Sequence, residues 1–389
     1  MLQRTCFTAL CLWITVAFHA CNNGNAATYS NCNIHTDSIV PLRISLNDTL
    51  QLYLDSLMVM EIATPIDYYS DEKLLHVYDN HNKRLLTYPV SANGTVYPQP
   101  AHMMHVKSKV SWFRYVSPDS LLLYSYAGSR LFRYNTVADS ITGKLSFSEK
   151  DVSHTPGIMA AHPFACAASP LYFVHHAIIG TGFLLGEKEN ENIVGRTICA
   201  SLDPLTGKTS HHIPYSKVYG EYNWGGSHMR NPFATFNTHT GQLAVSLPAD
   251  HNVQLIDSSW RVHEVYAGSR RNFCITSMPV SKSNRKVRDA METLQYYMST
   301  PSYRNIIYDP YQDRYYRLLE LPQTGSGAPA GKQPCLIAFN KDFKYLGEAF
   351  IPPAFALDNF FVTPTGIYFL DVSNKDQNIA RYVQCKPEL

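Results

Sequence analysis

The chain has 389 residues, a formal net charge of +2, only 16% charged residues, and 26 Tyr and 18 Phe. A nucleic-acid binder concentrates Lys and Arg on one element; here the densest basic run, Lys282 to Arg288, is short and reads as a solvated helix face, so nucleic acid is excluded as a partner. Abundant aromatics and the lack of a long Ala/Glu/Lys/Leu tract suit strands, and closed all-β folds use this length as a single domain.

The N-terminus carries an address. Met1 to Arg4 holds one positive charge, and Cys6 to Phe18 is an apolar run too short to span a membrane but suited to a signal-peptide core. Residues 1–20 are therefore expected to be removed. Phe18-His19-Ala20-Cys21 has the layout of a lipobox, with lipid on Cys21; secretion after cleavage near Ala26-Ala27 is the alternative. Residues 21–37 read as a polar tether and 38–389 as the folded domain. Membrane contact is expected only through the lipid. Export leaves Cys32, Cys166, Cys199, Cys274, Cys335 and Cys385, an even number that suits an oxidising compartment. No CxxC pair is present, so a structural zinc site is not expected.

The folded part is a succession of hairpins. Residues 38–56 hold alternating apolar runs ahead of the first full blade. The clearest hairpin grammar lies in Tyr68 to Val96, where Leu74 to Tyr78 and Leu85 to Tyr88 flank a polar turn at Asp79 to Lys83, and a further turn falls at Asn93-Gly94. Similar groups recur at about 57–100, 105–150, 156–218 and 228–268. Then Lys286 to Met298 places Val287, Ala290, Met291, Leu294 and Tyr297 at helical steps, which predicts one helix over 286–298 in a connection spanning 271–302. Strands resume from Tyr303 to Ile351, and a last group with three strands runs from Asp358 to Cys385. Repetition of small antiparallel sheets predicts an all-β, six-bladed β-propeller. A three-stranded last blade and a spare N-terminal strand complement each other: the N-terminal segment should pair antiparallel with Ala380 to Cys385 and close the ring, which removes two exposed sheet edges. That arrangement brings Cys32 toward Cys385 and allows a disulfide between them.

Ile306-Ile307-Tyr308-Asp309-Pro310-Tyr311 followed by Tyr315-Tyr316-Arg317, the segment Pro232 to Ser269, Leu346 to Glu348, and the Gly366-Ile367-Tyr368 turn resemble a Bacteroidetes lipoprotein family defined by a domain of unknown function (DUF4221). The resemblance covers most of 40–385. It implies a TolB-like six-bladed propeller behind a lipobox and supplies no chemistry. Exported surface lipoproteins of that phylum tend to carry acidic residues after the lipidated Cys; the uncharged tether here points to the periplasmic side of the envelope.

Candidate ligand-face residues fall in connections between blades and in second-to-third turns, which share one face of a propeller. The sharpest is Tyr222 to Arg230, in which Gly225-Gly226 allows close backbone approach, Trp224 offers a stacking face, and His228 and Arg230 offer donors; the same loop reads otherwise as a packed turn around a buried Trp. His105, His154 and Arg270 lie in other connections. His102-Met103-Met104-His105 and the pairs His175-His176 and His211-His212 do not establish a metal site, which needs three or four convergent ligands, and adjacent His175 and His176 on a strand would point to opposite faces. Asp309 and Asp313 read as turn formers. No cofactor is called for, no nucleophile elbow is present, and a monomer is expected. The reading is an envelope binding module for a small glycan, a peptide or an envelope protein; the alternative is a propeller hydrolase or lyase acting on glycan.

Overall fold

The computed structural model describes residues 28–388 apart from 36, 47, 56, 91–93, 148–160, 175, 184–195, 221, 280–289 and 324–330. The predicted signal segment, Cys21 and His154 lie outside the described residues.

Why the chain makes hairpins is visible in its turns. Asp79, Asn237, Asp309 and Asn340 end strands and Asp203 directly follows one, and each turns a side-chain oxygen onto backbone N–H groups just downstream; Asp79 Oδ1, for example, accepts from His81 N at 2.9 Å and Asn82 N at 3.1 Å, and Asp309 Oδ1 from Tyr311 N at 2.9 Å and Gln312 N at 3.1 Å. Such side chains mimic a backbone turn locally. Six antiparallel blades result. Blade 1 is Ile66–Tyr69, Leu74–Asp79, Arg84–Pro89 and His102–Met103, and blade 2 is Trp112–Ser117, Ser120–Ser125, Arg130–Asn135 and Ser140–Ser146. In blade 3 a broken inner strand, His162–Pro163 with Tyr172–Val174, faces Ala177–Phe183, followed by Thr197–Leu202 and Thr209–Pro214. Blade 4 is Phe233–Asn237, Gln242–Ser246, Asn252–Ile256 and Val262–Tyr266; blade 5 is Ser302–Asp309, Arg314–Pro322, Lys332–Asn340 and Tyr345–Phe350. Blade 6 takes Phe355–Thr363, Gly366–Asp371 and Ile379–Glu388 from the C-terminus and Thr49–Tyr53 from the N-terminus.

The closing strand pairs antiparallel with the C-terminal one, Tyr53 opposite Ile379 and Thr49 opposite Val383, while Arg43–Ser45 pairs with its far end at Lys386–Glu388. The ring is thus closed by the N-terminal segment. Arg84 reinforces this closure from blade 1: it is buried between Asp79, which accepts from Nε at 2.9 Å, and Asp55, which accepts from Nη2 at 2.6 Å. Gly94–Val96, expected to continue blade 1, instead runs parallel to Thr49–Tyr53 and covers its outer edge, leaving blade 1 a two-residue fourth strand. An uncovered outer strand at the closure would present unpaired backbone groups, and this short strand pairs with them.

The apolar faces pack between neighbouring blades. Phe113 and Leu121 of blade 2 meet Tyr78 and Leu85 of blade 1, and Phe361 and Tyr382 of blade 6 meet Leu75 and Leu86 of blade 1 across the closure. Side-chain amides stitch the seams. Asn80 donates to Val110 O at 2.7 Å and accepts from Val110 N at 2.8 Å, while Asn359 faces the carbonyls of Glu61, Ile62 and Thr64 and accepts from the Tyr382 hydroxyl at 2.8 Å.

Cys32 corrects the predicted disulfide: it is bonded to Cys274, and Cys385 is a free, buried thiol. Ser30–Cys32 forms a two-stranded ladder with Cys274–Thr276, between blades 4 and 5. From there the chain runs along the outer strand of blade 5, where Glu348 N donates to Val40 O at 3.0 Å and Leu42 N to Glu348 O at 3.2 Å, before it reaches blade 6. Gly347 permits this crossing, since a Cβ there would stand 3.0 Å from the Val40 carbonyl oxygen. Cys32 is therefore separated from the C-terminal strand by the width of a blade. The helix predicted over 286–298 is present as α1, Ala290–Ser299, its expected first turn lying outside the described residues.

Candidate functional site: the central channel and its two mouths

Inner strands of all six blades line the channel, and each runs from the face bearing the blade-to-blade connections to the face bearing the first-to-second turns. At about 3.3 Å per residue, Arg304 and Tyr311 of blade 5 stand roughly 20 Å apart along this axis. The two ends differ in chemistry.

Toward the first-to-second turns lies a cavity of about 290 Å³ to which every blade contributes: Asp67 and Tyr68 from blade 1, Arg114 from blade 2, Tyr172 from blade 3, Thr235 from blade 4, Tyr308 and Tyr311 from blade 5 and Phe361 from blade 6. Its walls are aromatic because the inner strands alternate, with one set of side chains turned to the axis and the other to the neighbouring blade. Asp67 and Arg114 supply the charge. The Tyr115 N–H donates to Asp67 Oδ2 at 2.8 Å, whereas Arg114 Nη1 stands 3.7 Å from Oδ1, a loose ion pair. Burial raises the Asp67 carboxyl above its ordinary value, opposed by Arg114 and the Tyr115 N–H. The Arg114 side chain is 41% exposed and its buried Nε has no partner, so this guanidinium retains donor capacity toward the cavity. The Tyr172 hydroxyl donates to Ala234 O at 2.8 Å, which fixes its ring as wall.

At the opposite mouth the connections between blades bring together a second, charged group. Arg304 lies near the start of the blade 5 inner strand and donates from Nη2 to Asp358 Oδ1 of blade 6 at 2.6 Å and from Nη1 to the Tyr297 hydroxyl of α1 at 3.0 Å, with Glu320 at 3.6 Å. Tyr297 in turn donates to Glu320. Lys332, at the start of the third strand of blade 5, is buried with Nζ 3.7 Å from the Tyr297 ring centre and 2.7 Å from Ser302 Oγ. His228, itself exposed, stacks on the Tyr297 ring with ring centres 4.7 Å apart.

The predicted ligand-face residues thus separate. His228 joins the charged mouth. Trp224 does not offer a stacking face: it is fully buried, donates to Val218 O at 3.3 Å and packs on Tyr29 and Tyr219, because the loop folds inward over blades 3 and 4. Arg230 is also buried. His105 Nδ1 lies against the Asp139 carboxylate in the third-to-fourth turn of blade 2, away from the mouth cluster. Arg270 is committed to the N-terminal segment, donating to Asp37 Oδ2 at 2.9 Å and lying against Tyr345. His176 sits in a tight turn with φ of 66° rather than in a strand, and His212 stacks on Trp260 with centres 3.6 Å apart. Among the described residues, no three His, Cys, Asp or Glu side chains converge closely enough to hold a metal ion.

Asp67, Arg114, Arg304 and Lys332 were not legible as site residues. Each stands within or at the start of a regular strand, where a polar residue reads as a solvent-facing position. The signal available was a lone cation among apolar strand neighbours, as in Ser302–Asp309.

Fold and geometry define a six-bladed β-propeller with an aromatic axial cavity at one end and a charged cluster at the other. Residues 108–349 match the family described as Domain of unknown function (DUF4221), and the chain belongs to that family. A crystal structure of a DUF4221 member from Bacteroides vulgatus is 17% identical, with a TM-score of 0.72 over 90% of this chain and 99% of that one. A Bacteroides fragilis protein assigned as exported is 12% identical with a TM-score of 0.51, over 90% and 98% of the two chains. At these identities the likeness establishes the fold. No curated protein matches the chain by sequence.

Proposed function

We propose that the protein is an exported, lipid-anchored binding propeller that holds a small glycan fragment in the axial cavity. The observation that carries this reading is the convergence of all six blades on one cavity of about 290 Å³, at the small end of ligand-site volumes, with Arg114 unspent within it. Aromatic walls take the face of a sugar ring, the Asp67 carboxylate accepts from a hydroxyl, and Arg114 donates to another oxygen. The hydrolase or lyase alternative needs a free acid and base across a cleft. The two carboxylates of the charged mouth, Glu320 and Asp358, instead flank Arg304 as ion pairs, which favours binding.

Export is supported by the N-terminal apolar core ending at Cys21 and by the Cys32–Cys274 disulfide, a bond that persists in oxidising compartments. Cys21→Ala should move the protein out of the membrane fraction and abolish palmitate labelling; unchanged fractionation contradicts anchoring. The ligand reading is tested by thermal-shift and calorimetric titration with a panel of mono- to tetrasaccharides and short peptides. Arg114→Ala should weaken binding of an active sugar by about 1–3 kcal/mol, the scale of a central anchor. A panel in which only peptides bind, or a sugar bound equally by Arg114→Ala, contradicts it.

A further inference from the structure

The connection that carries the closing strand into blade 1 holds a row of aliphatic side chains in water. Leu57, Val59 and Ile62, all within six residues, are 62%, 70% and 49% exposed. The loop that bears them is fixed from several sides: Met58 is buried in the core between blades 6 and 1, Asn82 Nδ2 donates to Leu57 O at 2.7 Å, Glu61 N donates to Thr64 Oγ1 at 2.8 Å, and Asn359 faces the carbonyls of Glu61, Ile62 and Thr64. Single exposed aliphatics are ordinary, whereas a fixed cluster of them marks a contact surface. Charge adds little there, since Lys83, Arg84, Lys107 and Lys109 stand against Asp55, Glu61 and Asp79 around the row, so apolar contact is what this surface offers.

What covers the row follows from where the N-terminal segment enters the fold. Tyr29 stacks on Tyr222 and meets Trp224 in the connection between blades 3 and 4, and its carbonyl accepts from Ser277 N at 2.8 Å in the connection between blades 4 and 5. The segment therefore enters on the blade-connection face, which also carries Leu57 to Ile62. Cys21 is seven residues upstream of Thr28, a reach of about 25 Å at most. The axial span between the two faces takes up roughly 20 Å of that before any path around the rim, so a lipid on Cys21 draws the connection face to the bilayer. Resting on the anchoring reading above, we propose that this face is a membrane-docking surface: Leu57, Val59 and Ile62 enter the interfacial layer of the bilayer that holds the lipid, adding protein contact to the lipid contact expected from the sequence. Ile34 and Leu294 of α1, both exposed on the same face beside blades 4 and 5, supply a second point of apolar contact across the ring. The axial cavity then opens away from the membrane.

The test is fluorescence quenching of the acylated mature chain reconstituted in vesicles of phosphatidylethanolamine and phosphatidylglycerol, with and without bromine on the upper acyl chains. Val59→Trp should be quenched at least about twofold more than the native chain, because interfacial side chains sit about 5–10 Å deep; the native Trp112 and Trp224 are buried and Trp260 is half-buried. Glu72→Trp, in the exposed first-to-second turn of the same blade, should show no added quenching. Equal quenching at both positions, quenching of Glu72→Trp alone, or none at either overturns the proposal. So does Val59→Trp emission that shifts with protein concentration and not with brominated lipid, which assigns the surface to a second copy of the chain. Should Val59→Trp fail to fold, Leu57→Trp takes its place. Mass spectrometry of the purified chain separates the two readings: a Cys21 without acyl chains defeats the anchor and the docking with it, whereas an acylated chain without quenching defeats the docking alone.

Discussion

Arg317 shows how single side chains hold neighbouring blades in register. It is fully buried in the second strand of blade 5 and donates to Ser246 Oγ at 2.9 Å and to the carbonyls of His251, Ala267, Leu247 and Asp250 at 2.7 to 3.3 Å, with its guanidinium 3.8 Å from the Tyr303 ring centre. Those carbonyls flank the strands of blade 4; Leu247 O also accepts from Asp250 N at 3.2 Å and His251 O from Ala267 N at 3.1 Å. Arg317→Met should destabilise by roughly 3–5 kcal/mol, read from the urea midpoint, because it removes several buried hydrogen bonds between blades 4 and 5 at once; an unchanged midpoint contradicts the assignment. His251 adds a pH dependence. Its Nε2 faces Asn31 O at 3.1 Å and its Nδ1 the Tyr303 hydroxyl at 2.8 Å, and burial lowers its pKa from 6.5 to about 4. Between these values the unfolded chain binds the extra proton, so stability falls as pH drops through 6.5 and the loss is complete near 4. Melting temperatures taken across that range should fall for the native chain and fall less steeply for His251→Gln, with His76, also lowered to about 4, retaining part of the slope.

The N-terminal segment is the element with the widest reach. It is pinned at Cys32–Cys274, laid along blade 5 and built into blade 6, so residues 30–53 tie three parts of the ring together. Loop entropy assigns a bond with a sequence separation of 242 residues a stabilisation of about 5 kcal/mol before strain. Cys32→Ser should lower the melting temperature without dispersing the fold, since the backbone ladder to Cys274–Thr276 persists. Deleting residues 28–56 should have the larger effect: it uncovers the C-terminal strand and Gly94–Val96 and should give aggregated protein, whereas a soluble truncation with native melting contradicts closure by this strand. Blade number and closure were legible because Asx turns and a spare strand are local signals. The partner of Cys32 was not, because it depends on the path of the chain across blade 5. Gly94–Val96 was misassigned for a related reason: parallel pairing with a strand more than forty residues upstream leaves no mark on the hairpin pattern around it.

Across the whole molecule, the candidate site residues gather on the axis, while the space between blades is filled by apolar side chains with buried polar ties such as Arg317 and Asn359. That division explains why the candidate site was mostly hidden in the sequence. The loop Tyr222 to Arg230 carries conspicuous residue types, yet Trp224 and Arg230 support the interior and only His228 reaches the mouth. The axial residues come from six different strands, and their convergence exists only once the ring is closed. The central claim is that the cavity between Arg114, Tyr68 and Tyr311 is where a glycan fragment binds. The most direct measurement is a crystal structure of the protein with the tightest-binding oligosaccharide from the panel. The account predicts a sugar ring in the axial cavity, in hydrogen-bond contact with Arg114 or Asp67 and against at least one of the tyrosines; a sugar on the outer face of the blades, with the cavity unchanged, contradicts it.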